Sequence, residues 1–265
     1  GDSQSNVGKN LMTLANTYNQ IWLKNYETIN GEYANWNGLD QYNRNPYWDL
    51  YKNQNKSDKD VFRFTAKAIY NIDKNLKIQG TIGTDINDMN FQDYIARTTP
   101  GKSAGQLQES VFKNRTLNAE ILALYNNQFG SFDVNATLGG NIFRVDNKTT
   151  IFTGLGEQMP GVIAIMNYQE QSVQQNTYKK QINSIYGSAS IGYDHTYYLE
   201  GTVRGDKSST LPTSNNTYIY PSVSASWVFS EYLKNKNIIN YGKFRASWAK
   251  VGSDTDPYQL ALNYA

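Results

Sequence analysis

Between residues 184 and 252 the chain alternates polar and apolar residues with a period of two in three successive segments. That period belongs to β-strands whose two faces meet different surroundings. Residues 220–229 place Pro221, Val223, Ala225, Trp227 and Phe229 on one face, with Ser222, Ser224 and Ser226 on the other. Residues 184–193 set Ile185, Gly187, Ala189, Ile191 and Tyr193 against Ser184, Tyr186, Ser188 and Ser190. Residues 197–206 set Tyr197, Leu199, Gly201 and Val203 against Tyr198, Glu200, Thr202, Arg204 and Asp206, so the second face meets water. In a soluble sandwich the apolar face carries large branched residues that interdigitate with a second sheet. Here it mixes Gly, Ala and Val with aromatic residues at the strand ends, as a face toward lipid does with its girdle. Tyr193, Tyr197, Trp227 and Phe229 mark where one girdle would lie.

Composition permits this reading. Mean hydropathy is low at -0.65, but a barrel hides its membrane signal by alternation and its loops are polar. The longest apolar run, Val162–Met166, is far too short for a spanning helix. Aromatic residues make up 14% of the chain, with 21 Tyr, more than a soluble core of this size calls for. No Cys is present, which removes disulfides and thiolate metal sites. A net charge of +2 argues against a dedicated nucleic-acid binder.

Taken in order, residues 1–60 are polar and Asn- and Tyr-rich, with one short helix expected over 6–18, and read as a long extracellular loop region. Residues 61–265 read as antiparallel strands of about ten residues each, the length of a tilted bilayer crossing. Hairpins are expected at 61–85 and 116–143, then the three strands above and a last one over 242–251. Long loops are expected at 86–111, 144–180 and 207–217, alternating with short turns. The eight strands so counted are an even number, enough in principle to close a small barrel.

Three motifs then carry a resemblance. The runs GKFRASWAKVGSDTDPYQL (242–260), YYLEGTVRGDKSSTLP followed by YIYPSVSASWVFSEYL (197–233), and NPYW (45–48) resemble the signatures of SusC/RagA-type TonB-dependent transporters, in the same order. The resemblance implies a middle segment of a transmembrane β-barrel of twenty-two strands in a Gram-negative outer membrane. It also implies a SusD-like lipoprotein over the extracellular mouth, and energy from the TonB complex. No plug domain or Ton box is recognisable in this chain. The function so implied is uptake of oligosaccharides. Oligopeptide import by the same architecture is the alternative, and a passive structural or adhesive barrel is the alternative from another class. Neither a cofactor nor a metal is implied.

The motif residues Asn45, Pro46, Gly205, Asp206, Ser208, Ser209, Pro221, Arg245, Gly252, Asp254 and Pro257 are read as structural. Arg204, Arg245, Lys250, Glu200 and Asp206 on one face suggest charge ladders that stiffen the wall. The loop aromatics Tyr33, Trp36, Tyr42, Tyr47 and Trp48 are the candidates for contact with substrate or with the lipoprotein, because exposed rings stack on sugars or peptide side chains. His195, the only histidine, falls in a tight turn with no nucleophile beside it, and no residue supports a catalytic assignment.

Overall fold

The computed structural model describes residues 44–233 and 240–259, together with 18–28, 34, 35, 39 and the isolated positions 8, 11, 12 and 14. The helix expected over 6–18 lies largely outside the described residues. Among them, eight strands form one antiparallel meander: β1 (Gln54–Asn71), β2 (Leu76–Ile95), β3 (Gln106–Phe129), β4 (Phe132–Glu157), β5 (Tyr168–Tyr193), β6 (Tyr197–Ser208), β7 (Thr217–Trp227) and β8 (Phe244–Ala249). Their order in the sheet is their order in sequence, with β1 and β8 as its edges, so the eight strands do not close a small barrel of their own. No helix among the described residues is long and apolar enough to cross a membrane, which says nothing about strands.

Several strands outrun the alternation that announced them. Residues expected in the loops 86–111 and 144–180 are largely strand, and the connections shrink to 96–105 and 158–167. β1 begins at Gln54, inside the expected 1–60 loop, and β6 joins β7 through 209–216. The reason is physical. Segments such as Asn147–Thr150 and Gln169–Ser172 are polar on both faces, so they carry no hydrophobic period, while backbone pairing needs none. At its other end β7 stops at Trp227. Phe229 does not extend the apolar face as expected but opens a 3-10 turn, which lays its ring 5.0 Å from that of Phe244.

The chain divides into two compact units, one of Gly1–Val61, Asn87–Lys113 and Lys148–Thr177, the other of Phe62–Ile86, Asn114–Asn147 and Tyr178–Ala265. In the second, the register of β5 to β8 makes the two faces explicit. One row runs Tyr193, Tyr197, Trp227, Phe244; the next Ile191, Leu199, Ala225, Ala246; the next Ala189, Gly201, Val223, Trp248. The opposite face carries Ser190, Glu200, Ser224 and Ser247 in one row and Ser188, Thr202, Ser222 and Ala249 in the next. Thr202 and Ser222 hydroxyls bond across it at 2.6 Å. The apolar face stays open, with Ile185 72%, Leu199 55% and Trp248 59% exposed. An interdigitated sandwich core does not leave such residues open.

Short turns join the hairpins. Gly130 has φ of 60°, and Asp194 and His195 have φ of 50° and 51°. Positive φ is what a tight hairpin turn with right-handed strand twist requires, and Asp and His tolerate it better than most residues. His195 thus owes its place to the turn; its ring is 75% exposed, with Nδ1 3.3 Å from Asp133.

Candidate functional site

In the first unit the NPYW motif builds a corner. Asn45 caps the helix Pro46–Tyr51, its Oδ1 accepting from the Tyr47 amide at 3.0 Å and its Nδ2 donating to the Leu23 carbonyl at 2.9 Å. Pro46 takes the first helical position, where its missing N–H costs nothing. Trp48 is only 2% exposed and packs with Tyr94, Ala96, Leu107 and Tyr168, while its indole N–H donates to Thr99 Oγ1 at 2.8 Å. It is therefore a core residue, and the expectation that its face stacks on a ligand is corrected: a Trp three positions into a capped helix points inward here. Tyr47 is half-buried and stacks on Tyr51 at 6.3 Å, and Tyr51 stacks on Tyr26 at 5.4 Å. This three-ring ladder, with Tyr51 55% exposed, is one aromatic surface of the first unit, and Trp22, 65% exposed, is another open ring there. Tyr33, Trp36 and Tyr42 lie outside the described residues.

The same unit holds a carboxylate that sequence reasoning passed over. Glu157, 6% exposed, accepts from the Tyr94 hydroxyl at 2.8 Å, the Arg97 amide at 2.9 Å and the Gly161 amide at 2.8 Å. Burial, and then the bond to Glu157, push the Tyr94 hydroxyl above its ordinary pKa. A lone Glu at a strand end gives no sign of this in sequence. With its oxygens so engaged, it organises the connections 96–105 and 158–167 rather than offering a reactive group.

In the second unit the polar face carries a connected network. The Tyr186 ring lies where a side chain at Gly139 would be, within 2.5 Å of an added Cβ, so glycine there is a seat for the ring. Its hydroxyl bonds Glu120, and the Arg204 guanidinium lies 5.3 Å over its ring. Arg204 also donates to Asp206 at 2.8 Å and to Ser184 at 2.9 Å. Lower on the same face, Glu200, Ser224, Ser226, Arg245 and Lys243 line a polar recess of about 370 Å³, with the Lys243 ammonium 4.8 Å over the Tyr198 ring. Arg204 and Asp206, expected in a ladder, are in contact; Glu200 and Arg245, expected with them, share this recess, whereas Lys250 follows the end of β8.

The two C-terminal motifs meet at Asp254. Its Oδ1 is 2.7 Å from Lys180 Nζ, and its Oδ2 accepts from Ser208 at 2.6 Å and Thr210 at 3.4 Å. Ser208 and Thr210 are each 3% exposed, and Ser209 Oγ accepts from the Gln181 amide at 2.9 Å. Gly252 lies against Tyr220, Pro257 is buried, Pro221 accepts from the Lys250 amide at 3.0 Å, and Gly205 sits on the apolar face between Ile185 and Ile219. Lys180 and the hydroxyls occupy Asp254 and Arg204 occupies Asp206, so the motif aspartates act as clasps.

Burial works against ionised Asp254, but the bonds from Lys180 and Ser208 outweigh it and hold its pKa below the ordinary aspartate value. A carboxylate with a depressed folded pKa adds stability above its unfolded pKa, and that stability fades as pH falls through the folded one. Amide exchange at residues 208–210 should therefore accelerate below the ordinary aspartate range, and Asp254→Asn should flatten that pH dependence. Identical acid profiles in both proteins would remove the clasp from the account.

No protein-family model matches the chain, and no curated protein matches it. Solved structures do. The chain is similar to the RagAB peptide transporter, with a TM-score of 0.68 and 15% identity over 78% of this chain and 24% of that one. The RagAB peptide importer in its closed-closed and open-open states gives the same TM-score and identity, with 24% and 23% of those chains covered. The chain thus spans about a quarter of the length of these structures. At such identity the likeness carries the fold alone: this is an all-β, antiparallel sheet with the fold of part of a β-barrel transporter.

Proposed function

We propose that the chain is a wall segment of a TonB-dependent importer in a Gram-negative outer membrane, taking up oligomeric nutrients with a SusD-like lipoprotein as partner. The observation that carries this reading is the two-faced sheet. An exposed apolar face of aliphatic and aromatic residues backs a polar face of hydroxyls and linked charges, which is what lipid on one side and a wet lumen on the other require. The likeness to transporter structures supports it. Oligosaccharide is the cargo that the sequence resemblance favours. That the similar structures are peptide importers favours the oligopeptide reading instead.

The Tyr26–Tyr51–Tyr47 ladder is the surface proposed to meet cargo or lipoprotein. Each ring stacked on a partner adds about 0.5–1.5 kcal/mol, roughly two- to tenfold in affinity. In the intact protein, Tyr47→Ala with Tyr51→Ala removes two rings and should slow uptake or reduce co-purified lipoprotein by roughly four- to a hundredfold, with barrel abundance unchanged. Growth on oligosaccharide and on oligopeptide as sole nutrient separates the two cargoes. Normal growth on both, together with normal co-purification, would leave the ladder as packing. A protein that fractionates away from outer membranes would end the importer reading altogether.

A further inference from the structure

The apolar face of the second unit is charged at one end only. The network Glu120–Tyr186–Arg204 and the seat of Tyr186 on Gly139 fix which face is polar, so strand alternation assigns the other. On that other face, within the strand residues of this unit, the ionisable acids and bases are Arg115, Arg144, Asp146, Lys179 and Lys207. Asp146 pairs with Arg144 at 2.8 Å. Arg115, Lys179 and Lys207 are exposed, and their side chains make no ion pair among the described residues. All five lie at the ends of this unit's strand portions that are remote from the tight turns at 72–75, 130–131 and 194–196, although β3, β4 and β5 themselves continue past them. The aromatic cluster of Tyr193, Tyr197, Trp227 and Phe244 marks the turn end of the same face.

Beside these cations the face is recessed. Small residues, Ala66, Ala68, Gly80, Ala119, Gly140 and Gly205, line an apolar hollow of about 1120 Å³, and its rim reaches Asn183, Lys207 and Thr217, which face one another across β5, β6 and β7. A side chain added at Gly80 would meet nothing within 4 Å. The hollow is thus open space in the face, bordered at one end by unpaired positive charge.

From this juxtaposition we infer a binding site for a phosphorylated, multiply acylated lipid of the outer leaflet, of the lipid A kind: acyl chains lie in the Ala/Gly hollow and phosphate meets Lys179, Lys207, Arg115 and Arg144. Apolar chains alone would not call for the cations, and a soluble phosphate would not call for the hollow. The leaflet follows from the turns, which in such barrels are periplasmic, so the cations stand at the outer surface. The inference rests on the outer-membrane reading above.

The test uses the intact protein extracted from outer membranes in mild detergent, with retained lipid A per protein measured by mass spectrometry. Each basic side chain near an anionic lipid surface contributes about fivefold in affinity, so Lys179→Gln with Lys207→Gln should retain about thirtyfold less. Lys179→Arg with Lys207→Arg should retain the parental amount. Gly80→Leu, which fills the hollow without changing charge, should also lower retention. Nanodiscs carrying lipid A, dephosphorylated lipid A or phosphatidylglycerol supply the second readout, and protection of the protein against heat should follow lipid A alone. Equal protection by phosphatidylglycerol or by dephosphorylated lipid A overturns the assignment, as does parental retention in the double Gln variant. A protein absent from outer membranes would sink the importer reading and this one together; one present there with unchanged lipid A sinks only this one.

Discussion

Trp48→Ala should loosen the first unit by about 3–5 kcal/mol, the usual cost of truncating a buried Trp. Its ring packs against Tyr94, Leu107 and Tyr168, and its indole donor anchors Thr99, which in turn bonds the Ala96 carbonyl at 2.6 Å. Removing it leaves a cavity and takes away the donor to the Thr99 hydroxyl, which keeps its own bond to the Ala96 carbonyl. Amide exchange at residues 45–53 and 94–99 should accelerate by roughly two to four orders of magnitude, where local opening limits exchange. Trp48→Phe keeps most of the packing and loses the hydrogen bond, so it should cost only about 1 kcal/mol. Unchanged exchange in Trp48→Ala would show that the corner is held by something else. The consequence is practical: Trp48 variants report on folding of this unit, whereas Tyr47 and Tyr51 variants test the proposed recognition surface.

Ala225→Arg is the second large effect. Ala225 stands exposed on the apolar face between Leu199 and Ala246, one row in from Trp227. A lipid-facing Arg costs about 2–4 kcal/mol near mid-bilayer and about 0–1 near the interface, so Ala225→Arg should reduce assembled barrel more than Trp227→Arg. Ser224→Arg points to the other face, into the row that holds Glu200, and should assemble nearly as well as the parent. The measurement is the heat-modifiable, folded fraction in outer membranes. Equal yields for Ala225→Arg and Ser224→Arg would remove the distinction between the two faces, and a reversed order would mean that they are exchanged.

Those faces were legible in the sequence because apolar and wet surroundings sort residues two apart, and the register of β5 to β8 falls on the expected rows. The tight turn at His195 was legible for a similar reason, since it separates two alternating runs. What escaped were contacts with no period. Lys180 and Asp254 are 74 positions apart, and Tyr186 finds Gly139 from the neighbouring strand; nothing local in either stretch announces the pairing. The lengths of β4 and β5, 26 residues each, escaped because stretches of their outer halves, Asn147–Thr150 and Gln169–Ser172, are polar on both sides and interrupt the alternation. Trp48 misled because a loop-like composition around it suggested exposure, when the Asn-Pro cap in front of it had already started a helix.

The strictly sequential strand order has a consequence for how such a wall can change size. Each strand pairs through its backbone only with the strands before and after it in the chain, so the inside-or-outside identity of every side chain depends on a simple parity. Deleting one hairpin, β4 with β5 for example, removes two direction reversals and leaves every later strand running the same way with the same face to lipid. Deleting one strand inverts everything that follows it. Growth and shrinkage of the circumference are therefore quantised in pairs, and a gene encoding such a protein can gain or lose a hairpin as a cassette without rewriting the residues on either flank.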